Sequence, residues 1–218
     1  HYLNGIYLHL TEAHGRNFLT GVATDSHRLS SSSLEIGNIN DFTSLILPRK
    51  TVFQLCSLLT EDASQLTMQT TDNKVKFNLG NMKLISKVID GKFPDYKKVV
   101  PIGNEKTLVV SSKDFINSIE RVASVSLDRK EGVKLVINKD NVKLSVNSAN
   151  SGDGNEIIKA EFNSDNLNIS FNSKYLTDIA SEVEDKNVRM NLKDSVSPVL
   201  VEDFSDKNSY YVIMPMKI

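Results

Sequence analysis

Apolar and polar positions alternate with period two at the start of the chain. Residues 3–10 read as a strand, 12–17 as a polar bend and 18–24 as the returning strand. Residues 29–36 read as a further strand, with the serine run 30–33 along a solvated edge. Leu45-Ile46-Leu47 is a short apolar strand stopped by Pro48, a residue suited to the first turn of a helix. The period then changes. Val52, Leu55, Cys56 and Leu59 recur at helical spacing and define a core-facing stripe, which places Cys56 inside. Strands at 66–70, 74–79 and 84–88 follow, joined by short turns at Asp72-Asn73 and Gly80-Asn81. Residues 90–99 are turn-rich, with Phe93 and Tyr96 around Pro94, and 101–105 read as a linker.

The second half opens on a helix from about residue 112, whose apolar face is Phe115, Ile116, Ile119, Val122 and Ala123. Strands at 132–137 and 142–147 are joined by a tight turn at 139–141, and further strands lie at 156–162 and 167–171. Another helix runs from 173 to about 183, with Ser173 as its N-cap and Leu176, Ile179, Ala180 and Val183 as its stripe. Strands at 188–192, 199–202 and 209–214 follow.

Laid side by side, the halves repeat. Leu45-Ile46-Leu47-Pro48-Arg49-Lys50 leads into a helix and three strands, and so does Ile169-Ser170-Phe171-Asn172-Ser173-Lys174, with Lys174 standing 124 residues after Lys50 (174 − 50). Upstream of each, a strand pair ends in a polar cluster: Ala23-Thr24-Asp25-Ser26 in one half, Ser148-Ala149-Asn150-Ser151 in the other. The fold class this predicts is α+β: two tandem modules, 1–105 and 106–218, each with two helices packed on antiparallel sheets. A leading helix shows in the second half alone, so the first copy is expected to be clipped at its start.

Composition narrows the function. The 218 residues are 39% hydrophobic and 24% charged with a net charge of −1. Lys+Arg and Asp+Glu divide 11 to 10 over 1–105 and 15 to 17 over 106–218, so neither half simply coats nucleic acid, although local basic patches remain open. The single cysteine excludes an intramolecular disulfide and fits a reducing cytoplasm. No apolar run approaches the roughly 18 residues of a membrane span, which implies no membrane partner.

One stretch concentrates chemistry. Asp25-Ser26-His27-Arg28 packs an acid, a hydroxyl, an imidazole and a guanidinium side by side. A hydrolase centred on Asp25, Ser26 and His27 is one reading. Against it, triads are assembled from separate segments, and neighbours in extended chain point to opposite faces. His9 and His14 fall in a hairpin without cysteines or carboxylates at ligand spacing, so no metal is expected, and no phosphate or dinucleotide fingerprint implies a cofactor. The other unusual feature is the tail, Tyr210-Tyr211-Val212-Ile213-Met214-Pro215-Met216-Lys217-Ile218, where two methionines flank a proline. Methionine is adaptable and suits surfaces that accept several partners.

Taken together, Ala23-Thr24-Asp25-Ser26-His27-Arg28-Leu29, Pro48-Arg49-Lys50, Asp90-Gly91-Lys92-Phe93-Pro94-Asp95-Tyr96, Asn187-Val188-Arg189-Met190 and Tyr211-Val212-Ile213-Met214-Pro215-Met216 resemble the bacterial DNA polymerase III beta subunit family, the replicative sliding clamps. The match follows that family's second and third domains. It implies a non-enzymatic processivity factor: a ring, a homodimer at full length, that encircles double-stranded DNA without base readout. It also implies a groove between the two domains that takes short peptides from the polymerase catalytic subunit, the clamp loader and repair proteins.

By position, the resemblance gives the groove Leu3, Thr24, Ser26, His27, Arg28 and Leu29. It adds Pro94, Val99, Asn172, Tyr175, Val196 and Pro198, and then Val212, Ile213, Met214, Pro215 and Met216. The DNA-facing candidates it implies are Tyr2, Arg49, Lys50, Arg121 and Lys134. Three departures stand out. Ser26 replaces a common glycine and is expected to narrow the groove, Lys217-Ile218 replaces an Arg-Leu ending, and Glu131 stands where a basic residue can occur. Without the family's first domain, this stretch is not expected to close a ring. A repeat scaffold that binds proteins but not DNA is the third reading.

Overall fold

In the computed structural model of the chain, the described residues are 2–37, 39, 42–59, 65–126, 132–148 and 152–217. Glu131, the cluster residues Ala149, Asn150 and Ser151, and Ile218 lie outside them. The chain divides into two units: His1–Asp25 with Ser31–Asp95, and Ser26–Ser30 with Tyr96–Ile218. The division falls at Asp95/Tyr96 rather than at 105/106, and side-chain chemistry explains why. In the stretch expected to be a linker, the Asn104 side-chain amide donates to the carbonyls of Asn191 and Pro198, both at 2.9 Å, which ties it to the second unit.

In the first unit, the alternating opening becomes β1 (Gly5–Ala13) and β2 (Arg16–Thr24), an antiparallel hairpin. Its tip is His14-Gly15, both at positive φ (52° and 71°), the backbone that a two-residue hairpin turn demands. β3 (Arg28–Ile36) lies on the other side of β2, and β4 (Leu45–Pro48) pairs with β1. A hydroxyl ladder crosses this sheet, Thr11 to Thr20 at 2.7 Å and Thr20 to Ser33 at 2.8 Å, so the serine run is partly internal. α1 (Arg49–Leu58) follows Pro48, and β5 (Leu66–Thr70), β6 (Lys74–Leu79) and β7 (Met82–Lys87) form a separate meander. Leu45, Leu47, Val75 and Phe77 are buried together, with Val52 and Leu55 packed against them.

Cys56 does not join that core; it is exposed. The buried face of α1 is centred on Thr51, whose hydroxyl bonds the Ser86 hydroxyl at 2.6 Å, and it continues through Val52, Leu55 and Leu58. Cys56 stands about 100° round the helix from Leu55, and the anchoring at Thr51 turns it, with Leu59, toward solvent.

The second unit opens on a strand that the sequence reading passed over, β8 (Lys106–Ser111). Leu108 and Val110 are its buried alternate residues. Two helices, α2 (Ser112–Ala123) and α3 (Ser173–Glu182), pack against each other. The strands are β9 (Gly132–Ile137), β10 (Asn141–Ser148), β11 (Gly152–Phe162), β12 (Leu167–Asn172), β13 (Asn187–Leu192), β14 (Val199–Asp203) and β15 (Ser209–Ile213). Their spatial order is β12-β9-β10-β11-β8-β13-β14-β15. One continuous core, including Phe115, Ile119, Leu135, Leu144, Phe171 and Met190, joins both helices to the sheet.

α1 and α3 begin 124 residues apart (173 − 49), each directly after a strand and before a three-stranded meander. The α+β class of helices on antiparallel sheets stands. Among the described residues the first unit carries one helix and the second carries two. No helix among them is long and apolar enough to cross a membrane.

Candidate functional site

The end of β12 is where the second unit turns chemistry outward. Phe171 points into the core, and the next residue, Asn172, caps α3: its side-chain oxygen accepts the Tyr175 N–H at 3.2 Å. Ser173, the expected cap, is buried and is the first helical residue instead. The cap fixes Tyr175 in the first helical turn, where its ring is half-buried.

Tyr175 is a platform for the stretch Ser26–Ser30, which belongs to this unit. The Arg28 guanidinium carbon lies 4.3 Å from the Tyr175 ring centroid, and the His27 ring stacks on it at 6.2 Å and 28°. Arg28 Nη1 also donates to Asp178 Oδ2 at 2.7 Å, while Lys174 Nζ donates to Asp178 Oδ1 at 3.0 Å. Burial pulls the Asp178 carboxyl upward, but its bonds to Arg28 and Lys174 outweigh this and hold it below the usual carboxylate range. Because that value is lowered in the folded protein, the pair is in place at neutral pH and is lost as pH falls through it. Lys174 and Asp178 were not among the expected site residues. Their i, i+4 spacing on a helix is the signal that marks them.

The tail is stitched to the same place from two sides. The Met214 N–H donates to the His27 carbonyl at 2.9 Å, and the Met216 N–H donates to the Ser170 carbonyl at 2.7 Å. The structure therefore brings together Ser26–Leu29, Asn172, Tyr175 and Val212–Met216. Their apolar members divide into two kinds. Leu29, Val212 and Ile213 are buried and form the floor, not the surface. Met214 and Met216 are exposed, at 38% and 36%, and Pro215 is half-buried.

The remaining groove candidates of this unit sit on other segments. Val99 ends a 3₁₀ turn, Tyr96–Val99, and is exposed. Val196, also exposed, and Pro198 belong to the turn closed by Asp194, whose carboxylate accepts the Val196 and Ser197 N–H groups at 2.9 and 2.7 Å. Leu3, Thr24 and Pro94 belong to the first unit, the first two half-buried and Pro94 exposed.

Ser26 has φ of 74°, the left-handed region that glycine adopts freely. Its side chain is exposed, so the cost of a residue other than glycine here falls on the backbone. Ser26→Gly is expected to raise stability by about 1 kcal/mol, read as a shift of the denaturation midpoint. An unchanged or lowered midpoint contradicts it.

The basic candidates fall into two classes. Arg49 and Lys50 are exposed at the start of α1, and the Arg49 N–H donates to the Asn4 carbonyl at 3.0 Å. They line a shallow depression of about 440 Å³ with Asn4, Phe53 and Gln54. Tyr2 and Lys134 are likewise exposed. Arg121 is already paired: its Nε and Nη2 donate to the two Glu156 oxygens at 3.0 and 2.5 Å. Among the described residues, no group of three or more His, Cys, Asp or Glu side chains is placed to hold a metal ion. His9 stacks on Tyr7, which stacks on Phe93.

The comparisons agree with one another. The DNA polymerase III beta subunit, central domain, matches residues 1–95, and its C-terminal domain matches residues 97–217. The beta sliding clamp of Caulobacter vibrioides is 33% identical over 220 residues, with 100% of this chain and 59% of the relative covered. That of Escherichia coli K12 is 34% identical over 218 residues, covering 100% and 58%. A crystal structure of the Bartonella birtlesii sliding clamp bound to griselimycin matches with a TM-score of 0.95 at 37% identity, covering all of this chain and 59% of that one. The chain thus spans under three fifths of the length of these relatives.

Proposed function

The chain belongs to the DNA polymerase III beta subunit family, and from that premise we propose that it serves as a replicative processivity factor without a catalytic site of its own. In this reading the longer protein, a homodimeric ring in the cytoplasm, encircles duplex DNA and tethers the polymerase catalytic subunit, the clamp loader and repair proteins. The two modules, divided at Asp95/Tyr96, are its central and C-terminal domains. Contacts to DNA are sequence-independent: electrostatic through Arg49, Lys50 and Lys134, and a hydrogen bond to phosphate from the Tyr2 hydroxyl. Arg121 joins them only by exchanging its Glu156 partner.

The observation that carries the partner site is the double stitching of the tail. With the Met214 backbone bonded to His27, whose ring stacks on Tyr175, and the Met216 backbone bonded to Ser170, two exposed thioethers are carried on a backbone tied down at two points. Adaptable apolar side chains on a rigid frame suit leucine and phenylalanine anchors of a short peptide, and His27, Arg28 and Asn172 supply the polar edge. The hydrolase reading finds no support: the His27 ring is laid against Tyr175, and the matched relatives are clamps.

The test is titration of a short peptide rich in Gln, Leu and Phe. Saturable binding is expected, weakened about tenfold by Met214→Ala and kept by Ser26→Ala. Absence of binding, or indifference to Met214→Ala, sinks the reading.

A further inference from the structure

Helix α1 carries a feature that phosphate contact does not use. Phe53 is 62% exposed on it, one turn after Arg49 and Lys50. A single exposed apolar residue needs no explanation. This one forms part of a depression whose other lining residues are Arg49, Lys50, Asn4 and Gln54. Residues 49–58 contain no acid, and the lining of the depression carries two cations and no carboxylate. The Arg49 guanidinium carbon stands 5.4 Å from the ring centroid, a loose cation–π contact that a stacking ligand can share.

From these neighbours we infer that the depression at the start of α1 holds an unpaired base of a DNA single strand, stacked on Phe53 with its phosphates on Arg49 and Lys50. In a duplex the faces of the bases are stacked on one another, and the backbone offers only phosphate and sugar to such a surface. An exposed strand presents a free π-face, and an aromatic ring beside two cations is the arrangement that captures it without regard to sequence. Asn4 and Gln54 line the same depression, and their amides offer donors and acceptors to a base edge. The volume, about 440 Å³, is of the size that small ligands occupy. This rests on the reading that Arg49 and Lys50 face DNA and extends it from duplex phosphates to single-stranded ends.

The experiment uses fluorescein-labelled oligothymidylate and a blunt duplex of equal length, titrated with the chain at low ionic strength and followed by anisotropy. The variants are Phe53→Leu, which keeps apolar bulk and removes the ring, and the double variant Arg49→Ala/Lys50→Ala. The unaltered chain is expected to bind the single strand. Phe53→Leu weakens that about tenfold and leaves duplex binding within about twofold, whereas the double variant weakens both. The proposal is overturned if the unaltered chain ignores the single strand, if Phe53→Leu binds it as well, or if that variant weakens both ligands equally. If the double variant spares the duplex, the DNA-facing reading of Arg49 and Lys50 fails, and the Phe53→Leu arm still decides the stacking proposal. Phe53 is largely in solvent, so its replacement leaves the circular dichroism spectrum and melting of the fold unchanged.

Discussion

Phe171→Ala is expected to cost the second unit about 3–5 kcal/mol of stability, measured by denaturant unfolding followed by circular dichroism. Phe171 is fully buried in the middle of the core shared by α2, α3 and the sheet, and its strand pairs with β9 through Val133. Removing its ring leaves a cavity that β9 on its one paired side and the helices over the sheet cannot close without breaking register. The consequence reaches the surface because of where Phe171 sits. The residue before it, Ser170, accepts the Met216 N–H, and the residue after it, Asn172, caps α3 beneath Tyr175. Core packing and the frame of the proposed groove are thus set at adjacent positions on one strand. Peptide affinity is expected to fall together with stability, and a variant that loses less than about 1 kcal/mol contradicts this packing account.

Tyr175→Ala is expected to weaken peptide binding by about 2 kcal/mol, roughly thirtyfold, in a fluorescence titration. The ring is the platform for both His27 and Arg28, so its removal takes away contact area and two positioned polar groups together. Arg28 keeps its pair with Asp178, which limits the loss of fold stability. Tyr175→Phe retains the platform and is expected to stay within about threefold of the unaltered chain, since cation–π attraction needs the ring and not the hydroxyl. Equal losses in the two variants indicate that the hydroxyl, not the platform, does the work.

Most of the fold was legible because it follows period. Strands with alternating burial such as β6 and β10, and helices with a clear stripe such as α2, carry their assignment in local pattern. The repeat was legible for the same reason, since Pro48-Arg49-Lys50 and Asn172-Ser173-Lys174 occupy the same joint. What failed depended on partners distant in sequence. β8 reads locally as a lead into α2, and it becomes a strand because β11 and β13 flank it. Spacing alone puts Cys56 in the core, whereas the bond between Thr51 and Ser86 sets the rotation of α1.

The site divides in the same way. Asp25-Ser26-His27-Arg28 and the methionine tail stand out as composition, but their meeting rests on a backbone bond between residues 187 positions apart (214 − 27). That Leu29, Val212 and Ile213 form a floor while Met214 and Met216 reach solvent is a matter of packing that no motif displays. The left-handed backbone at Ser26 was similarly hidden behind a residue that does not advertise it.

The five methionines provide the most direct measurement of the central claim, that the tail and the Ser26–Leu29 stretch form a partner groove. Met68 packs beside the core of the first unit, Met82 is exposed on β7 and Met190 is buried in the second core. Methyl-labelled methionine resonances, followed while a Gln-, Leu- and Phe-rich peptide is added to saturation, therefore sample five separate places. The account predicts that Met214 and Met216 shift together along one binding curve while Met68, Met82 and Met190 hold still. Shifts at Met82 or Met68, with Met214 and Met216 unmoved at saturation, contradict it.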